Sequence, residues 1–136
     1  MGFTDKFRTQ HEEILALCSQ ISEQLQRKDA DALALRKLLS NLAGKVGFHL
    51  AMEDKALYPR LMQQKGSRAE ALANRFQSEM GGLARVFSEY NTRWQVSAIR
   101  ADIGAFSNDS RKVLGALAHR ISRETTELYP LADGIG

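Results

Sequence analysis

At 136 residues, with 43% apolar and 26% charged side chains, the chain suits one domain that buries roughly two-thirds of its unfolded surface. A net charge of +3, spread over every segment, lacks the concentrated basic footprint of a nucleic-acid binder. No stretch approaches the ~20 uninterrupted apolar residues of a membrane helix, and a lone cysteine, Cys18, excludes an internal disulfide or a cysteine-cluster metal site.

The opening Met1-Gly2-Phe3-Thr4-Asp5-Lys6 has no apolar run of the signal-peptide type, so a cytoplasmic protein is expected. Apolar residues recur at helical spacing through nearly the whole chain, and strand-period alternation is not sustained anywhere. A first helix should start near Thr4 with Phe7, His11, Ile14, Cys18, Ile21 and Leu25 on one stripe, and break around Lys28-Asp29. A second runs from about Asp31, aligning Leu35, Leu38, Leu42, Val46, His49, Glu53 and Ala56. It weakens at Pro59, which has no backbone donor, and ends by Gly66. Ser67 is a fitting N-cap for a third, with Ala69, Ala73, Phe76, Met80, Leu83, Phe87, Tyr90 and Trp94 in line. The fourth, capped by Ser97, aligns Ile99, Ile103, Phe106, Val113, Leu117, Ile121, Glu124 and Leu128. Four long stripes with short connections predict an all-α protein, an up-down-up-down four-helix bundle forming a single domain over residues 1–136.

An internal repeat divides that bundle into two hairpins. Glu53-Asp54-Lys55-Ala56-Leu57-Tyr58-Pro59 and Glu124-Thr125-Thr126-Glu127-Leu128-Tyr129-Pro130 both read Glu-x-x-x-Leu-Tyr-Pro. More loosely, Phe7-x-x-x-His11-x-x-Ile14 matches Phe76-x-x-x-Met80-x-x-Leu83. In this register His11 corresponds to Met80, His49 to Arg120 and Glu53 to Glu124.

Ionisable residues inside apolar stripes need a partner or a purpose. His11 is central on the first stripe and Glu124 on the fourth. His49 and Glu53, four residues apart, share one face of the second with roughly 40° between them. Imidazole nitrogen and carboxylate oxygen suit iron, manganese or zinc, and bundle cores recruit such ligands from facing helices. The bland reading is a buried hydrogen-bond and ion-pair network in which the histidines satisfy the carboxylates, and the residues leave both readings open. The tyrosines before the two prolines read as amphipathic anchors, and Cys18 as a buried, inert thiol. Gly44, Gly47, Gly81 and Gly82 fall on outward faces, and no nucleophile-base arrangement or nucleotide fingerprint is present.

These residues resemble the hemerythrin-like (HHE) family over essentially the whole chain. The resemblance rests on Gln10-His11-Glu12-Glu13-Ile14, and on Phe48-His49-Leu50-Ala51-Met52-Glu53-Asp54 running into Leu57-Tyr58-Pro59. It rests also on Leu117-x-x-Arg120-Ile121-x-x-Glu124 running into Leu128-Tyr129-Pro130. It implies a non-haem metal centre in a four-helix bundle, used for dioxygen carriage or for sensing oxygen, nitric oxide or iron. A full oxygen-carrying centre uses five histidines and two carboxylates, whereas this chain has three histidines in all. Where the family places a Glu-His pair the chain has Glu79-Met80, and a thioether suits hard iron poorly. Where the family has His-Ile-x-x-Glu the chain has Arg120-Ile121-x-x-Glu124. His119 should face solvent on a regular helix, although a π-bulge could rotate it inward. Arg120 flanks the stripe within reach of Glu124 and Glu53, either replacing a second metal as a cation or snorkelling past the rim.

The expectation is a reduced site of at most one iron, zinc or manganese ion, held by His11, His49, Glu53 and Glu124. Its role would be sensing, signalling or metal handling, without enzymatic activity, nucleic-acid binding or membrane binding. A metal ion, a small diatomic ligand, a protein partner or a second copy are the partners this allows. The alternative is a metal-free regulatory or interaction module with a buried Arg-carboxylate network.

Overall fold

The computed structural model describes residues 2–135, and among these the regular structure is entirely helical. Four long helices carry the chain: α1 (Asp5–Gln26), α2 (Ala32–Met52), α4 (Arg68–Arg93) and α6 (Ile103–Arg123). Short α3 (Tyr58–Met62) and α7 (Tyr129–Asp133) extend α2 and α6, and α5 (Val96–Ala101) links α4 to α6. Contacts of α1 with α2, α2 with α4, α4 with α6 and α6 with α1 close a ring, and α3 touches α7.

Local chemistry sets the helix starts. Asp31 accepts the Leu33 amide, and Ser67 accepts the Glu70 amide, each satisfying a donor that the first helical turn leaves free. Between α3 and α4 the backbone needs a left-handed residue, and Gly66 supplies it at φ 76°. Ser97 is not a cap. It lies inside α5, and the last long helix is capped by Asp102, whose carboxylate accepts the Ala105 amide at 3.0 Å. Trp94 explains the break: its indole donates to Asp109 at 2.7 Å while its ring packs on Phe106, tying the end of α4 back onto α6.

Two further expectations change at the level of single turns. Leu17 and Leu39 are the buried positions, with Cys18 and Leu38 only half-buried beside them. Ile103 is exposed, and Ser110 and Leu114 face inward instead. Both follow from helical drift: over several turns neighbouring residues trade places at the edge of a stripe.

Each repeat of Glu-x-x-x-Leu-Tyr-Pro forms a π-helical turn, Glu53–Leu57 and Glu124–Leu128, in which the tyrosine amide bonds the glutamate carbonyl five residues back. The proline that follows has no N–H and its ring would collide with the preceding turn of a regular helix, so the chain widens there. Through the backbone the widened turn ties Tyr58 to Glu53 and Tyr129 to Glu124. As a result Leu57, Tyr58, Leu128 and Tyr129 all face inward.

The core falls into two apolar clusters. The larger is built around Ile14, Ile21, Leu35, Leu42, Tyr90 and Phe106; the smaller, around Phe7, Leu57, Leu61, Phe76, Leu128 and Tyr129. Each fully buried aliphatic or aromatic side chain contributes about 1.5–3 kcal/mol. On α1, on α2 and just past the end of α6, the polar residues His11, His49 and Glu124 fall where one cluster gives way to the other. Thr4 bonds Asp133 through both its amide and its hydroxyl, at 2.9 and 2.8 Å, and so fastens the two ends of the fold together beside the smaller cluster.

Candidate metal centre

The four residues singled out in the sequence meet in one buried cluster, with one donor atom from each lying within 4.8 Å of the others. Glu53 and Glu124 have no exposed surface, and the two histidines almost none. His11 Nε2 stands 3.0 Å from His49 Nε2 and 3.2 Å from Glu124 Oε1, and His49 Nε2 stands 3.2 Å from Glu53 Oε2.

The outward edge of each imidazole fixes its tautomer. His49 Nδ1–H donates to Gln10 Oε1 at 2.6 Å. His11 Nδ1–H donates to Thr125 Oγ1 at 3.0 Å, because that hydroxyl has already given its own proton to the Ile121 carbonyl. In the neutral imidazoles both Nε2 atoms therefore carry lone pairs, and the lone pairs converge. Two acceptors 3.0 Å apart repel unless a cation or a proton lies between them.

Two tyrosines complete the cluster, and they cross between the repeats. Tyr129, from the second, donates to Glu53 of the first at 2.6 Å and lies 2.8 Å from His11 Nε2. Tyr58, from the first, reaches Glu124 of the second at 3.4 Å. Both side chains are buried, Tyr129 completely. They are thus parts of the polar centre and not amphipathic anchors, because the π turns swing them inward. The repeat itself was the signal. Gln10 stood in the quoted motif of the first helix, whereas nothing in the sequence marked Thr125.

Two buried carboxylates carry a charge of −2 with neutral histidines, a heavy load for a dry interior. Protons or a dication can balance it. Burial favours the neutral form of His11, and the adjoining His49 adds to that preference against the pull of Glu124. Burial disfavours the charged form of His49 too, but Glu124 and Glu53 outweigh it and raise its pKa to about 9. Glu53 is pushed up by burial, with the Glu124 charge adding to the effect against the His49 hydrogen bond. Glu124 is held below the usual carboxylate range, because His11 and His49 overcome the opposing effect of burial. Without a metal, the two carboxylates favour a proton retained on His49.

The donor set fits a metal. Nitrogen and oxygen donors around one ion at about 2.1 Å stand roughly 3.0–3.4 Å from one another, which brackets three of the separations here, while His49 Nε2 and Glu124 Oε1 stand wider at 3.8 Å. Glu53 Oε1 has no hydrogen-bond partner among the described residues although it is buried, an orphaned acceptor that a cation satisfies.

The positions across the repeat do not supply a second set. Arg120 is buried, but it does not reach Glu124 or Glu53, and it does not snorkel. Its Nη1 donates to Glu79 at 2.6 Å, its Nη2 donates to the Phe76 carbonyl, and the guanidinium lies 4.1 Å above the Phe76 ring. Glu79, which stands closer on the neighbouring helix and is partly solvated, takes the cation at lower desolvation cost than a sealed carboxylate. Met80 packs in the larger apolar cluster. His119 is exposed, because the π turn begins at Glu124, after it, and cannot rotate it inward.

The model of the hemerythrin HHE cation binding domain matches residues 2–132. The chain belongs to this hemerythrin family. No curated protein and no solved structure matched it. Membership in a cation-binding family agrees with the convergent lone pairs: this hemerythrin domain has a His/Glu cluster that could hold a metal ion. Among the described residues no helix is long and apolar enough to cross a membrane.

Proposed function

We propose that this hemerythrin domain holds a single transition-metal ion (iron, zinc or manganese) through His11, His49, Glu53 and Glu124, and serves in sensing, signalling or metal handling. The observation that carries the reading is the pair of imidazole Nε2 atoms 3.0 Å apart, each with its Nδ1–H committed elsewhere. The outer acceptors Gln10 and Thr125 orient the two rings, a role that such partners commonly play around metals. The ion would supply a Lewis-acidic centre with room for a small diatomic ligand. Tyr129 and Tyr58 hold the carboxylates in place by hydrogen bonding, and the two apolar clusters exclude water from either side. Neither dioxygen carriage nor catalysis is part of the proposal, because Met80, Arg120 and Glu79 leave a second ion without nitrogen donors.

The fold we propose for it is one up-down-up-down four-helix bundle over residues 1–136. In support, Glu13 of α1 pairs with Lys45 of α2, and Tyr90 of α4 with Ser110 of α6, contacts that join late residues of one helix to early ones of the next or the reverse.

A second reading draws on Arg120. A buried guanidinium bonded to Glu79 and the Phe76 carbonyl supports a metal-free module that binds a protein partner or a second copy, with Arg120 standing apart from Glu53 and Glu124. Elemental analysis of protein purified without chelator separates the two. The metal reading expects close to one equivalent of a transition metal, lost in His49→Ala and retained in Arg120→Met. No metal after incubation with Fe(II), Zn(II) and Mn(II) in turn would leave the metal-free module standing.

A further inference from the structure

We propose that the groove between α1 and α6 is the port through which a divalent cation reaches the centre, an inference that rests on the metal reading above. All four candidate ligands are at least 97% buried, so an ion needs a defined way in. A groove of about 360 Å³ runs over His11 and is lined by Arg8, Glu12, Leu15, Ser122, Thr125 and Thr126, among others. Its Thr125 hydroxyl holds His11 Nδ1. One edge of that imidazole therefore faces the groove and the other faces the remaining donors.

The chemistry of the lining suits a dication. Ser122, Thr125 and Thr126 offer hydroxyl oxygens, hard donors that can replace hydration water in passing. Glu12 is exposed at the rim and makes no ion pair among the described residues. Arg8, the cation of the lining, is engaged by Asp133 at 3.6 Å and by Thr4 at 3.0 Å. The larger groove between α1 and α2, about 710 Å³, presents Lys6 beside the Lys45–Glu13 pair, and Gln10 stands between it and His49. Lys6 keeps that face net positive, and Gln10 closes it over His49.

The port also has a part that can yield. Thr125 and Thr126 belong to the π turn Glu124–Leu128, and Pro130 just beyond has no amide to donate back to it. A turn with fewer backbone bonds opens at lower cost than regular helix. Lifting Thr125 from the edge of His11 needs only the Thr125–Thr126 side of that turn, which lines the groove, while Leu128 stays in the smaller cluster.

Stopped-flow uptake of Co(II), followed by its visible absorption in the full-length protein, tests the port. Ser122→Trp fills the groove and should slow uptake about tenfold, an added barrier of about 1.4 kcal/mol, with the same end-point and stoichiometry. Leu15→Ala widens the mouth and should speed uptake, a reading that stands even if Ser122→Trp does not fold. Gly44→Trp fills the larger groove, where an added Cβ meets open space, and should leave the rate unchanged. Equal rates for the parent, Ser122→Trp and Leu15→Ala would overturn the port while leaving the metal site intact, as would slowing by Gly44→Trp alone. Absence of Co(II) at equilibrium in the parent protein would instead remove the metal reading, and the port with it.

Discussion

Stability of the chelator-treated protein should fall as pH rises from about 6.5 to about 9, the interval between the ordinary value for His49 and its value here. A group whose folded pKa is raised binds its proton more tightly when folded. The stabilisation is complete below the unfolded value and disappears as pH climbs through the folded one. One proton is worth about 1.4 kcal/mol per pH unit, so His49 alone accounts for a loss on the order of 3 kcal/mol. Glu53, also raised by burial, has the same sign and starts the decline at lower pH. Glu124 and His11 are both lowered; their contribution is present above their ordinary values and is lost in acid, so it does not reverse the trend at alkaline pH. A bound ion takes the lone pairs that those protons occupied, and metal binding then tightens as pH rises. Urea unfolding followed by helical circular dichroism, at several pH values between 6 and 9 with chelator or with one equivalent of Zn(II), separates the two slopes. Chelator-treated stability that stays level across this range, or the same slope with and without Zn(II), would refute the account of two lone pairs held together by a proton.

Three substitutions probe the parts around those donors. Tyr129→Phe removes the hydroxyl from Glu53 and should destabilise the chelated protein by about 1–3 kcal/mol, whereas Tyr58→Phe, with its longer 3.4 Å bond, should cost less; the reverse order in urea melts would contradict the crossed arrangement. Thr125→Val and Gln10→Leu each remove an Nδ1 acceptor and should weaken Zn(II) binding about 10–100-fold in calorimetric titration, and unchanged affinity in both would show that the rings need no outer support. Arg120→Met replaces a buried guanidinium whose Nε has no partner among the described residues. Because Glu79 is free to be solvated, thermal stability should change by less than about 1 kcal/mol or improve; a much larger loss would mean that the cation supports the centre.

Much of the architecture could be read from periodicity. Four stripes at helical spacing predicted four long helices because burial of an apolar face is the main stabilising term and it repeats every three or four residues. The same argument marked His11, His49, Glu53 and Glu124, since an ionisable residue in a buried stripe needs a partner or a purpose. Periodicity failed where the helix departs from regularity. A constant 100° per residue cannot represent a π turn, so it missed the inward swing of Tyr58 and Tyr129, although it placed His119 correctly toward solvent. It also missed the break at Asp102, which depends on Trp94 finding Asp109 from another helix.

The amino-acid order alone determined which groups enter the interior and how they pair by repeat: imidazoles from the first hairpin, a carboxylate from each, a methionine and a guanidinium opposite. Only the tertiary structure decided what those groups do there. Hydrogen bonding acts over about 3 Å, and the atoms that come within that reach belong to segments far apart in the chain. Glu79 rather than Glu124 takes Arg120, Tyr129 crosses to Glu53, and Gln10 and Thr125 turn two lone pairs toward each other.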